Sequence, residues 1–171
     1  MLVQDMKIYL LRHGHAEKVS NRFSEEKRPL SVKGRRVLNH IAPAVAELLG
    51  LPSKIISSPL MRALQTAEII AQALPAKRRI ETSDMLLPNA SVSKCWDCLI
   101  TSIAAKKILL VGHEPFLSSF AGFLLGAGRS CLEFKKGGLC CLEVEGSSKT
   151  PEAVLKWYLT PQQLLKLADA S

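Results

Sequence analysis

Arg12-His13-Gly14 closes an apolar run, Lys7-Ile8-Tyr9-Leu10-Leu11. A strand that ends this way delivers a cation and an imidazole to one point, and the glycine lets the backbone turn tightly or approach a ligand closely. Such a point suits an anionic group, with phosphate the first candidate. Two further segments carry matching chemistry. Ser57-Ser58-Pro59-Leu60-Met61-Arg62 follows the short apolar stretch Lys54-Ile55-Ile56. Ser58 fits a helix N-cap and Pro59 a first helical residue, which places Arg62 in the first turn. Free N–H groups at a helix start favour an anion. Arg62 can add a bidentate fork to its oxygens. Gly112-His113-Glu114-Pro115 directly follows the strongly apolar Lys107-Ile108-Leu109-Leu110-Val111, with Pro115 marking the next helix. Taken singly, Arg62 reads as a surface arginine and His113 as a structural histidine. Together, two arginines and two histidines fall beyond equivalent strand ends, where open α/β sheets build their sites.

The elements that must position these residues alternate. Strands are expected at 6–11, 54–56, 78–81, 107–111, 139–145 and 153–159, and helices at 34–49, 59–74, 91–105, 114–125 and 161–168. Val37, Ile41, Val45, Leu48 and Leu49 follow a helical period in the first helix, interrupted by Pro43. Residues 15–30 are polar and read as a loop, and Gly146-Ser147-Ser148-Lys149 reads as a turn. The alternation predicts an α/β fold: a three-layer α/β/α sandwich with a mostly parallel, mixed central sheet. The last two strands, joined by a short turn, suit an antiparallel pair. The facing of 139–145 is ambiguous, because apolar residues fall on both alternations. No repeat, low-complexity tract or linker divides the 171 residues, so one domain over 1–171 is expected.

Apolar residues make up 47% of the chain and charged residues 22%, the balance of a soluble globule. The net charge of +8 is compatible with an anionic substrate. Its densest cluster, Lys77-Arg78-Arg79, lacks the aromatic residues that base stacking uses, so a solvated face is favoured over nucleic-acid binding. No stretch approaches the roughly 18 apolar residues of a membrane span. No signal peptide is visible, and Met6 would serve as a start with residues 1–5 a dispensable extension. Five cysteines, an odd number, suit reduced thiols in a cytoplasmic protein better than a disulfide framework. Cys95-Trp96-Asp97-Cys98 has CxxC spacing but no second pair, and two ordinary thiols are the favoured reading.

In order and spacing, Arg12-His13-Gly14-His15-Ala16, Arg28-Pro29-Leu30-Ser31 with Gly34, Ser58-Pro59 with Arg62-Ala63 and Gln65-Thr66-Ala67, and Gly112-His113-Glu114-Pro115 resemble the histidine phosphatase (phosphoglycerate mutase-like) superfamily. The shortness of the chain, Arg-His-Gly-x-Ala and Arg-Pro-Leu-Ser resemble the SixA-type phosphohistidine phosphatases in particular. The resemblance implies a phosphoglycerate mutase-like fold and a metal-independent phosphatase with no cofactor. His13 would be the nucleophile and become transiently phosphorylated. Arg12 and Arg62 would hold the phosphoryl oxygens and lower the His13 pKa. His113 would donate a further hydrogen bond, with Gly14, Arg28 and Glu114 contacting substrate. The partner would be a histidine-phosphorylated protein of phosphotransfer or phosphorelay type, or a small phosphorylated metabolite, and the chain a monomer.

One position departs from the family pattern. Larger relatives protonate the leaving group with a carboxylate from an inserted segment, for which this chain has little room. A second acid position, just before a Leu-x-Pro, holds Met85 in Met85-Leu86-Leu87-Pro88, and Asp84 is the candidate substitute. A missing acid harms alkoxide leaving groups most and a protonatable imidazole least, which favours a phosphohistidine substrate. Among the remaining residues, Ser31 is expected to cap the first helix, His40 to be structural or exposed, His15 and Glu17 to be solvated, and Lys135-Lys136 to form an exposed turn. Two other classes compete: a metal hydrolase using His13, His15 and His113, which the neighbouring arginines oppose, and a catalytically idle phosphate-binding module.

Overall fold

The computed structural model describes residues 6–102, 106–127, 132–145 and 149–170. Cys131, residues 103–105 of the third expected helix, most of the turn at 146–149 and the extension before Met6 lie outside them. Six strands form one sheet: β1 (Met6–Arg12), β2 (Lys54–Ser57), β3 (Ile80–Thr82), β4 (Lys107–Gly112), β5 (Leu139–Glu145) and β6 (Glu152–Leu159). Their order is β3-β2-β4-β1-β5-β6. The first four in this order run parallel, whereas β5 and β6 join antiparallel. Five helices complete the layers: α1 (Val32–Leu49), α2 (Met61–Ala73), α3 (Val92–Ser102), α4 (Phe116–Leu124) and α5 (Pro161–Ala170).

The central strands are apolar on both faces because both faces are covered. Tyr9 and Leu11 of β1 pack with Leu38, Ile41 and Val45 of α1, Ala67 and Ile70 of α2, and Leu164 of α5. Ile8 and Leu10 face the other way, toward Cys95, Trp96 and Leu99 of α3 and Phe116 and Phe120 of α4. The ambiguity of β5 has the same cause: Leu139 and Cys141 join the first core, and Cys140, Leu142 and Val144 the second.

Several boundaries shift for identifiable reasons. Ser31 caps α1 by accepting from the Gly34 N–H at 3.1 Å, as expected, so the helix starts earlier than the apolar period suggests. Pro43 sits inside α1. α2 begins at Met61 with Leu60 as its cap residue, not at Ser58-Pro59, and the Ser58 Oγ both accepts the Leu60 N–H at 3.3 Å and meets a histidine described below. Glu114-Pro115 is a cis peptide bond, and α4 starts after it at Phe116. Gly34 is fixed by close approach: a Cβ there would lie 2.0 Å from the His15 carbonyl oxygen. That oxygen accepts the Ser31 N–H at 2.9 Å, which ties the loop after β1 to the start of α1.

Candidate active site

The sheet register assembles the site. Arg12 pairs with Gly112 across β1 and β4, so the next residues, His13 and His113, emerge side by side beyond the carboxyl ends. Their ring centroids are 4.9 Å apart. Ser57 pairs with Val111 across β2 and β4, which puts Ser58 against His113. The Ser58 Oγ lies 2.8 Å from His113 Nε2. Arg62 follows in the first turn of α2 and reaches back, its Nε donating to His13 Nε2 at 3.3 Å. Gly14 is packed beneath, with a notional Cβ 2.6 Å from Leu38 Cδ1, and its N–H donates to Thr66 Oγ1 at 3.2 Å.

His13 holds one defined tautomer. Its Nδ1 lies 2.7 Å from the Gly14 carbonyl oxygen, which can only accept, so Nδ1 carries the hydrogen. Nε2 is then a lone pair, as its bond from Arg62 requires. His13 is only 6% exposed and His113 only 2%. Burial is the largest cause of their low pKa values, about 2 for His13 and about 3 for His113. For His13 the neighbouring His113 comes next, the Gly14 carbonyl opposes the shift, and Arg62 and Arg12 add to it. The arginines credited from the sequence are therefore secondary to desolvation. Both imidazoles are neutral at physiological pH.

A cavity of about 370 Å³ opens over this pair, lined by Arg12, His13, Ala16, Glu25, Arg28, Arg62, Pro88, His113, Glu114 and Lys136. Each guanidinium has one backbone anchor. Arg12 Nη1 donates to Phe134 O at 2.5 Å, Arg28 Nη1 to Glu17 O at 2.9 Å and Arg62 Nη1 to Glu25 O at 2.8 Å. Four buried side-chain polar atoms among the described residues have no partner: Arg12 Nε, Arg28 Nε, His113 Nδ1 and Glu114 Oε1. All four belong to residues of this one cavity. Buried polar groups are ordinarily satisfied, so four orphaned atoms, three nitrogens and a carboxylate oxygen, on the residues lining one space set it apart.

Not every expected residue arrives. Arg28 and Glu114 line the cavity, and Gly14 supports it from below. Asp84 is exposed in a short 3-10 turn (Asp84–Leu86) and does not line the cavity, which the chain reaches later, at Pro88. Glu25 and Lys136 do line it. Glu25 was not foreseen, and its one sequence signal is the i,i+3 spacing to Arg28, with which it pairs at 2.7 Å. Lys136 is exposed on a turn, as expected, but that turn borders the site. His15 and Glu17 stay outside the cavity. His40 is exposed and pairs with Asp169 at 2.6 Å. Cys95 is buried, its thiol pushed up to about 12 by desolvation, whereas Cys98 is exposed. Among the described residues, no three His, Cys, Asp or Glu side chains come together as a metal site would need. No helix among them is long and apolar enough to cross a membrane.

The histidine phosphatase superfamily (branch 1) model matches residues 8–86. An uncharacterized protein of a Picosynechococcus strain is 34% identical over 138 residues, covering 78% of this chain and 82% of its own. The chain belongs to the histidine phosphatase superfamily. Membership supports phosphatase activity. A SixA phosphohistidine phosphatase homolog of Haemophilus influenzae is 27% identical over 133 residues, covering 71% of this chain and 78% of its own. The structure of the protein histidine phosphatase SixA complexed with tungstate superposes with a TM-score of 0.81 at 22% identity, covering 93% of this chain and 99% of that one. This last likeness establishes the phosphoglycerate mutase-like fold.

Proposed function

We propose that this chain hydrolyses phosphohistidine on a partner protein, without a metal, through a phospho-His13 intermediate. The observation that carries the reading is the gathering of Arg12, Arg28, Arg62 and His113 on the lining of one cavity with an unprotonated His13 Nε2. These side chains hold the phosphoryl oxygens while charge redistributes in the transition state. With the Ser58 hydroxyl donating to His113 Nε2, the hydrogen of His113 sits on Nδ1, where it serves an oxygen. The His13 Nε2 lone pair gives up its hydrogen bond from Arg62 Nε and forms the new P–N bond as the P–N bond to the substrate imidazole breaks, and that imidazole takes its proton from solvent. Water then attacks phospho-His13. It releases inorganic phosphate and restores the neutral ring, so two easier steps replace one.

The carboxylates favour phosphohistidine over a phosphate ester. Glu25 is held below the usual carboxylate range by its hydrogen bond to Arg28, and so rests ionised and has no proton to give an alkoxide. Asp84 stands outside the cavity. Glu114 is the remaining carboxylate on the cavity lining, taken through Oε2 by the Ser118 hydroxyl, and an imidazole leaving group has the least need of an acid. The SixA homolog among the relatives agrees with this choice. The test is metal-free phosphate release from a phosphohistidine protein, beside p-nitrophenyl phosphate and a sugar phosphate, with His13→Ala as control. Fast release from phosphohistidine that vanishes in His13→Ala is expected. Preference for the sugar phosphate would assign the chain to small-molecule substrates. Phosphate binding without release from any of them would leave a binding module.

A further inference from the structure

The Arg62 fork is already occupied. Its Nη2 donates to Glu25 Oε1 at 2.8 Å, and the same oxygen takes Arg28 Nη2 at 2.7 Å. A carboxylate oxygen therefore sits on the guanidinium edge beside the nucleophile, where a phosphoryl oxygen must bind. Glu25 belongs to the loop between β1 and α1, and its side chain is 57% exposed, whereas that of Arg62 is 4% exposed. The loop is fastened next to it, because the Met61 N–H donates to Glu26 O at 3.1 Å. The side chain can thus swing outward while the backbone holds.

We propose that Glu25 is an internal competitor of the phosphoryl group: it occupies Arg62 between turnovers, yields to substrate, and returns to expel product phosphate. The inference rests on the phosphatase reading of this site. A ligand that must displace an internal group has its apparent affinity reduced by the fraction of molecules in which the site is open. The reduction applies alike to substrate and product, so Glu25 raises KM and the phosphate inhibition constant together. Removing the carboxylate leaves Arg62 oriented, since its Nη1 bond goes to the Glu25 main-chain oxygen and its Nε bond to His13. A carboxylate that served only to position Arg62 would act in the opposite direction, and its loss would weaken phosphate binding.

The experiment is calorimetric titration of inorganic phosphate into the wild type, Glu25→Gln and Glu25→Ala, with KM and product inhibition measured on p-nitrophenyl phosphate. For a partly exposed ion pair, both variants are expected to bind phosphate roughly threefold to fivefold more tightly, with KM falling by a similar factor. Unchanged or weaker binding in both, with melting temperatures like the wild type, overturns the proposal and makes Glu25 a positioning residue. If the wild type itself binds no phosphate, the phosphatase reading falls and this inference with it. Glu25→Ala also decides the matter if the glutamine variant retains a neutral bond to Arg62.

Discussion

Two buried neutral imidazoles give this protein a specific sensitivity to acid. His13 titrates at about 2 and His113 at about 3 in the folded chain, against an ordinary value of 6.5. In the unfolded chain both take up a proton as the pH falls through about 6.5, whereas in the folded chain neither does until about pH 3. Within that window the unfolded state binds more protons, so stability rises with pH and is lost on acidification. At about pH 5 each histidine has lost roughly one and a half pH units of linkage, or about 2 kcal/mol. That figure barely depends on the folded value, because any folded pKa below about 4 gives the same result at this pH. The pair together costs about 4 kcal/mol, a large share of the roughly 5–15 kcal/mol that stabilises a domain. The assay is urea unfolding at about pH 8 and about pH 5 for the wild type, His13→Asn and His113→Asn. Comparing the pH-dependent loss between proteins cancels the contribution of every other titrating group. Each variant is expected to lose about 2 kcal/mol less than the wild type on acidification. Equal losses in all three would refute the reasoning, since the imidazoles would then be reaching water and protonating inside the folded protein.

Other perturbations test the scaffold around the nucleophile. Ser58→Ala removes the partner of His113 Nε2 and leaves the Leu60 N–H without its acceptor. It should lower kcat by roughly ten- to a hundredfold, less than outright removal of an oxyanion donor, while phosphate still binds by titration. Gly34→Ala forces a Cβ to within 2.0 Å of the His15 carbonyl oxygen, a backbone atom held by the start of α1. A loss of about 3 kcal/mol or more is expected in chemical denaturation, with activity falling because the loop carrying Glu25 and Arg28 shifts.

The parts of the site that follow from strand ends were legible in the sequence. Arg-His-Gly after one apolar run and Gly-His after another specify adjacent histidines once the runs pair in parallel, and the Arg12–Gly112 register does this. Ser31 was legible as a cap because its neighbours follow a helical period. Ser58 was legible only in part: it accepts the Leu60 N–H ahead of α2, but its second partner, His113, follows only from the β2–β4 register. Glu25 and Lys136 were hidden for a different reason. Each lies in a polar segment without periodicity, and the path of that segment over the sheet depends on tertiary anchors, the Met61–Glu26 bond for one and the Gly137 N–H to the Arg12 and His13 carbonyls for the other. Asp84 failed as a candidate through reasoning by proximity along the chain, because its short 3-10 turn ends before the backbone reaches the cavity at Pro88.

The way the arginines are held explains how a site this small keeps its field. A guanidinium fixed by a carboxylate is positioned but neutralised. One fixed by a carbonyl is positioned with its charge intact. Arg12, Arg28 and Arg62 each give an Nη1 bond to a main-chain oxygen, of Phe134, Glu17 and Glu25 respectively. These backbone bonds position the three cations without neutralising them, while the Glu25 carboxylate pairs with Arg28 and Arg62, in a space where burial has already made both histidines neutral. Cations this close together repel one another, and Arg62 is itself shifted down, by desolvation and by Arg28, against the pull of Glu25. One exposed carboxylate answers both requirements. Glu25 damps the repulsion while the site is empty and withdraws when a phosphoryl group brings its own negative charge. Its place on an exposed loop, rather than on a strand or helix, follows from that exchange, because a rigid carboxylate would have neutralised the site for good.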